Sequence, residues 1–169
     1  MVALYVTSSE RGSGKTAVCA GLGKHLLDAG KKIGFLKPVI AGKAEEAGSD
    51  AVIIKHLFAL EESVDILCPV FSDESHLRSL IKEAYGRVSP GKDVVIIEGV
   101  LAQNQTARDI VAALDARVII VEDFSKELLK AINSYKDLAG NLLGVVLNKV
   151  PRSRVEQVRG EASTQFAQA

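Results

Sequence analysis

Short β-branched apolar runs alternate along this chain with segments whose apolar residues recur every three or four positions. The first run, about Val2 to Thr7, predicts a strand. A helix is expected from about Lys15 to Ala29, with Val18, Leu22, Leu26 and Leu27 on its buried side and Gly30 as its stop. Ile33 to Leu36 reads as a second strand, and Ser49 with Asp50 can start a short helix through Leu60. Ser72 or Asp73 can cap a helix whose stripe is Leu77, Leu80, Ile81, Ala84, Tyr85 and Val88.

Val94 to Ile97 is a continuous apolar run, the mark of a strand covered on both faces. A helix from Thr106 to Leu114 follows, with capping-box spacing between Thr106 and Asp109. Val118 to Val121 is the next buried strand. Ser125 can cap a helix carrying Leu128, Leu129, Ile132, Tyr135 and Leu138, and Leu142 to Leu147 is the fifth strand. Ser153 and Glu156 have capping-box spacing before a last helix, where Val155, Val158, Ala162 and Phe166 share one face. Strands alternating with helices predict βαβ units and an α/β fold, an open and mostly parallel sheet between helical layers. Ligands of such sheets sit at the carboxyl ends of the strands, so the residues just after each strand carry the functional information.

The segment after the first strand is Thr7-Ser8-Ser9-Glu10-Arg11-Gly12-Ser13-Gly14-Lys15-Thr16, followed at once by a helix. Glycines let successive backbone N–H groups turn inward onto an anion, and the helix N-terminus adds partial positive charge. Gly12, Ser13, Gly14, Lys15 and Thr16 are therefore the candidate phosphate cradle, with Lys15 reaching the terminal phosphates and the Thr16 hydroxyl free to ligate Mg²⁺. The strict phosphate-loop pattern wants glycine at position 9, where this chain has Ser9. Gly12-Ser13-Gly14 with Ala17 also meets a looser dinucleotide fingerprint. Against it, the loop is long and the second strand ends at Lys37, where an acidic residue would grip a ribose.

Two other strand ends and one helix start supply candidates. Glu98 ends the most apolar strand and can bind Mg²⁺ directly or through water. Asp50 reads equally as a third oxygen ligand or as a plain helix start. Asn148, just past the fifth strand, reads equally as a turn residue or as an amide placed on an adenine edge. His25, His56 and His76 fall on separate predicted helices without metal spacing, and Cys19 reads as a small core residue.

The loop end Gly12 to Thr16, then Phe35-Leu36-Lys37-Pro38-Val39, Ser49-Asp50-Ala51, Ile97-Glu98-Gly99 and Gly144 to Pro151 together resemble the dethiobiotin synthetase-like P-loop superfamily. That group includes dethiobiotin synthetase, the cobyrinic acid amide synthases and the N-terminal domain of some phosphotransacetylases. The resemblance runs from Val2 to about Pro151 and implies a three-layer P-loop NTPase fold, ATP and Mg²⁺ as ligands, and a pairing of two copies across the nucleotide face. It implies that Lys37 holds the γ-phosphate or a substrate carboxylate, so that Lys15 and Lys37 are the candidate catalytic pair. A small hydroxyl residue usually follows the Lys-Pro-Val triplet in dethiobiotin synthetase, but here Ile40 and Ala41 follow.

Composition narrows the function classes. The 169 residues are one domain's worth, 47% hydrophobic and 25% charged, which excludes a disordered chain. Lysine plus arginine (21) equals aspartate plus glutamate (21), so the bulk charge attracts neither nucleic acid nor an anionic membrane. The two cysteines without metal spacing, and the absence of a signal-like N-terminus, fit a cytoplasmic protein. Two readings remain. One is a Mg-ATP-binding module that regulates or senses within a larger protein, with an output domain beyond Ala169, since the last apolar stripe runs on without a stop signal. The other is an ATP-dependent C–N ligase that activates a small carboxylate or carbamate.

Overall fold

The structure, a computed structural model, describes residues 1–40, 44–71, 76–124 and 133–166. Its elements follow in the order β1 (Val2–Thr7), α1 (Lys15–Asp28), β2 (Ile33–Leu36), β3 (Val39–Ile40), α2 (Ala44–Phe58), α3 (Val64–Leu67), β4 (Val70–Phe71), α4 (Leu77–Val88), β5 (Val94–Glu98), α5 (Gln105–Leu114), β6 (Arg117–Asp123), a 3₁₀ segment (Asn133–Asn141), β7 (Leu142–Asn148), a 3₁₀ turn (Arg152–Arg154) and α6 (Val155–Phe166). Five strands form one parallel sheet in the order β2-β5-β1-β6-β7. The α/β architecture expected from the alternating pattern is thus the observed one.

The central strand β1 is buried along its length from Ala3 to Thr7. It pairs with β5 through Val2↔Val94 to Val6↔Glu98 and with β6 through Leu4↔Arg117 to Thr7↔Ile120. Apolar runs on β1, β5 and β6 are what a sheet covered on both faces requires, and they bury Tyr5, Val6, Ile96, Ile97 and Ile120 completely. Helix α4 buries Leu77, Ile81, Ala84 and Val88, as its stripe predicts.

Several boundaries differ from the sequence expectation. In α1 the fully buried positions are Cys19 and Gly23, while Val18, Leu22, Leu26 and Leu27 are half-buried flanks. The cause is a close helix approach: a Cβ on Gly23 would lie 2.0 Å from the Phe58 ring of α2. Helix α2 begins at Ala44, so Ser49 and Asp50 lie inside it and do not start it. Asn104 holds the N-cap position of α5 without a side-chain cap hydrogen bond, and Thr106 is buried within that helix. Asp109 meets Arg78 instead of completing a capping box. Ser153 lies in the 3₁₀ turn that precedes α6, which starts at Val155. A two-stranded parallel pair, β3 with β4, was not foreshadowed, because two-residue strands leave no periodic signal. The caps expected at Ser72, Asp73 and Ser125, and Leu128, Leu129 and Ile132, lie outside the described residues. Tyr135 and Leu138 are buried, on the 3₁₀ segment.

The α1–α2 contact gives a stability test. Gly23→Ala should cost about 1–3 kcal/mol through overpacking against Phe58. Gly21→Ala, in the same helix with open space around it, should gain about 0.5–1 kcal/mol. Urea unfolding of both variants checks the contrast, and equal effects at the two sites would contradict the close approach.

Candidate functional site

The site begins where β1 ends. Thr7 is held by its hydroxyl, which donates to Val100 O at 2.5 Å. Gly99 N–H donates to Val6 O and Ala102 N–H to Ser8 O, so the chain after β5 runs along the start of the loop. Gly12 and Gly14 both have positive φ, +74° and +94°, which lets the loop close onto the first turn of α1. Ser13 between them is buried.

Lys15 and Thr16 open α1 and face opposite partners. The Lys15 ammonium folds back onto Ser8 Oγ at 2.8 Å. Burial pulls Lys15 below the ordinary lysine value, Lys37 adds to the effect, and the charge of Glu98 opposes it. The Thr16 hydroxyl lies 2.8 Å from Glu98 Oε1 and 3.4 Å from Asp50 Oδ2. The β1–β5 pairing brings Glu98 there, since Glu98 is the register partner of Val6.

Lys37 is delivered by the short β3–β4 pair. Its own N–H donates to Leu67 O at 2.7 Å, and Val39 N–H donates to Pro69 O at 2.9 Å, so the chain leaving β2 is pinned on both sides of Pro38. The Lys37 ammonium then bridges Asp50 Oδ2 at 2.5 Å and Glu98 Oε1 at 2.8 Å. Burial works against its charge, but Glu98, together with the hydrogen bonds to Asp50 and Glu98, outweighs burial and holds Lys37 above the usual lysine range. Asp50 reaches the cluster from inside α2, a position that a plain helix start would not have provided.

Thr16, Asp50 and Glu98 therefore form one group of hard oxygen donors. Glu98 is only 5% exposed, and among the described residues its Oε2 has no hydrogen-bond partner. A buried carboxylate oxygen left unpaired is costly, and a cation would satisfy it. Among the described residues no three His, Cys, Asp or Glu side chains gather to hold a metal on their own. The set suits Mg²⁺, which takes one or two protein oxygens and completes its shell with phosphate oxygens and water.

The far side of the loop is gripped by the ends of β6 and β7. Asn148 Nδ2 donates to Ser13 O at 2.8 Å, and its Oδ1 accepts from Lys149 N. One amide hydrogen and one acceptor lone pair remain on Asn148 for another partner. Lys149, itself at positive φ, donates to Gly12 O at 2.9 Å and to Asp123 at 2.7 Å. Ser9 donates both its N–H and its hydroxyl to Glu122, each at 2.7 Å. Ser9, Glu122, Asp123 and Lys149 were missed by the sequence reading. The signal was present in the Glu122-Asp123 pair, which ends an apolar run just where the sheet presents its ligand edge.

A cleft of about 560 Å³ covers the loop. It is lined by Lys15, Thr16, Lys37, Asp50 and Glu98 together with the apolar side chains of Val39, Ile40, Val100 and Leu101. His25, His56 and His76 are exposed and apart from it, and Cys19 is a buried free thiol, as expected.

Residues 2–166 match the family model of an AAA domain. The chain belongs to this family. Its fold is that of a P-loop NTPase, and its relatives fall where the resemblance of the motifs points. A phosphate acetyltransferase from Pseudomonas putida is 26% identical over 173 residues, which cover 89% of this chain and 25% of that protein. An ATP-dependent dethiobiotin synthetase from Methanocaldococcus jannaschii is 22% identical over 172 residues, covering 86% of this chain and 78% of that one. This AAA domain thus spans about a quarter of the length of the phosphate acetyltransferases it matches. A nucleotide-binding protein from Archaeoglobus fulgidus, solved in complex with ADP, shares the fold with a TM-score of 0.55 and 23% identity, covering 86% of this chain and 65% of that one.

The contact between Gly14 and Asn148 is directly testable. A Cβ on Gly14 would meet Asn148 Nδ2 at 2.3 Å and would also force a side chain into positive φ. Gly14→Ala should destabilise the domain by about 1–3 kcal/mol. Combined with Asn148→Ala the two should be non-additive by about 1 kcal/mol, because the second removes the atom that the first strikes. Strictly additive costs in chemical denaturation would contradict the observed packing.

Proposed function

We propose that this AAA domain binds Mg-ATP in the cleft over the Gly12–Thr16 loop and acts as a nucleotide-responsive module within a larger protein. The observation that carries the nucleotide reading is the convergence of Lys15, Thr16, Lys37, Asp50 and Glu98 at one mouth of the parallel sheet. Two cations and the N-terminus of α1 face a polyanion there, while the hydroxyl and carboxylates face its counter-cation. Mg²⁺, when bound, would neutralise phosphate charge and polarise the terminal phosphoryl group.

The chain's own groups do the rest. Backbone N–H groups of the loop orient the phosphates, and Lys15 leaves Ser8 to neutralise them. Thr16, Glu98 and Asp50 are the oxygens from which Mg²⁺ would draw its one or two protein ligands. Lys37, kept charged by Asp50 and Glu98, stands ready for the terminal phosphate or for a carboxylate beside it. The remaining donor and acceptor of Asn148 suit an adenine edge, which would tie base recognition to the loop through Ser13.

The module reading is supported by the match to one quarter of the phosphate acetyltransferases and by Ile40, which occupies the cleft where a hydroxyl residue would handle a substrate. Under this reading the output lies in another part of the larger protein. A second reading, an ATP-dependent C–N ligase, is favoured by the apolar residues Val39, Val100 and Leu101 that line the cleft and by a relative named dethiobiotin synthetase that aligns over most of both chains. ATP turnover with and without 7,8-diaminopelargonate and bicarbonate separates the two: the module reading expects no substrate-dependent phosphate release. Among the described residues no helix is long and apolar enough to cross a membrane.

Calorimetric titration with ATP tests the site itself. Lys15→Ala should lose at least about tenfold in affinity for Mg-ATP, and Glu98→Gln should abolish most of the gain that Mg²⁺ gives the wild type. Equal affinities for wild type and Lys15→Ala would overturn the phosphate-loop reading.

A further inference from the structure

Glu122 is a second buried carboxylate at the sheet's ligand edge, and it takes no part in the oxygen cluster around Thr16. It is 5% exposed, next to the last residue of β6. A carboxylate so close to a polyanion site opposes the ligand by its charge. It is also costly to bury unless its lone pairs are filled.

Three donors fill them. Ser9 N–H reaches Oε1 and Ser9 Oγ reaches Oε2, both at 2.7 Å, while the Tyr135 hydroxyl donates to Oε1. Tyr135 is itself buried, on the 3₁₀ segment that leads into β7. The grip is two-pronged, one prong on the main chain of Ser9 and one on its side chain. A glycine at position 9 would offer only the first. Serine at the position where the strict pattern has glycine thus matches a carboxylate that a glycine could not fully satisfy. The Gln103 side-chain amide donates to Ser9 O at 2.9 Å, so Ser9 is held by its N–H, its hydroxyl and its carbonyl.

We propose that Glu122 is a positioning residue for the phosphate loop: through Ser9, and steadied by Tyr135, it holds the nucleotide-free loop in the conformation that receives the phosphates. The loop then need not be ordered at the moment of binding, and the ordering cost is met in advance by folding. The effect on affinity rests on the Mg-ATP reading above, whereas the effect on loop order does not.

The test uses the full chain as wild type, Glu122→Gln, Tyr135→Phe, Ser9→Ala and the Glu122→Gln/Ser9→Ala double variant. Amide hydrogen exchange of residues 8–14 is followed without nucleotide, and Mg-ATP affinity is measured by calorimetry. Glu122→Gln should speed exchange at Ser9 by about tenfold or more and weaken Mg-ATP by about tenfold. The double variant should be hardly weaker than Glu122→Gln alone, since both substitutions break one contact. Tyr135→Phe should move both readouts in the same direction by less, and it carries the test if Glu122→Gln does not fold. A wild type that fails to bind Mg-ATP while loop exchange still depends on Glu122 would sink the nucleotide reading and support the clamp. Unchanged loop exchange in a folded Glu122→Gln, or additive losses in the double variant, would overturn the clamp.

Discussion

Val6 on β1 and Glu98 on β5 are register partners, and the site hangs on that pairing. A parallel ladder brings all its strands to the same edge, so the residue that ends β5 must arrive beside the loop that leaves β1. A one-residue slip would turn Glu98 to the other face and leave Thr16 without its partner. The slip is prevented by apolar burial on both sides of β5 and β1, where Tyr5, Val6, Ile96 and Ile97 are almost wholly removed from water. The positioning of one carboxylate is therefore a consequence of core packing along two whole strands.

Once Glu98 is placed, the charges around it become mutually dependent. Lys37 and Asp50 come from segments distant from the loop, the exit of β2 and the interior of α2, and the Lys37 ammonium bridges Asp50 to Glu98. Each alone would be a poorly solvated charge, whereas together they satisfy one another. Lys15 stands apart from this exchange, partly buried, with its ammonium on a neutral hydroxyl and its proton affinity lowered. A cation held that way gains more from a phosphate than one already paired with a carboxylate. The arrangement separates the cation awaiting an anion from the carboxylates awaiting a cation.

Much of this was readable from the chain. The strand runs and the Gly12–Thr16 loop place the ligand edge, and a residue type at each strand end names Lys37, Glu98 and Asn148. Asp50 was ambiguous because its meaning depends on where α2 begins, and helix starts are weakly encoded when the preceding residues are themselves helix formers. Glu122 was not legible as a loop contact. Its partners Ser9 and Tyr135 are 113 and 13 residues away, and only the β1–β6 pairing and the return of the chain before β7 bring them together. The end of the β6 apolar run places Glu122 at the ligand edge, but which loop it grips is decided by chain segments far from it in sequence.

The most direct test of the central claim is a crystal structure of the domain grown with Mg²⁺ and a non-hydrolysable ATP analogue. Phosphates should be enclosed by the Gly12–Thr16 backbone, with the metal held by Thr16 and by Glu98, directly or through water. A nucleotide bound elsewhere on the sheet, or a metal that leaves Thr16 and Glu98 hydrogen-bonded to each other, would contradict it.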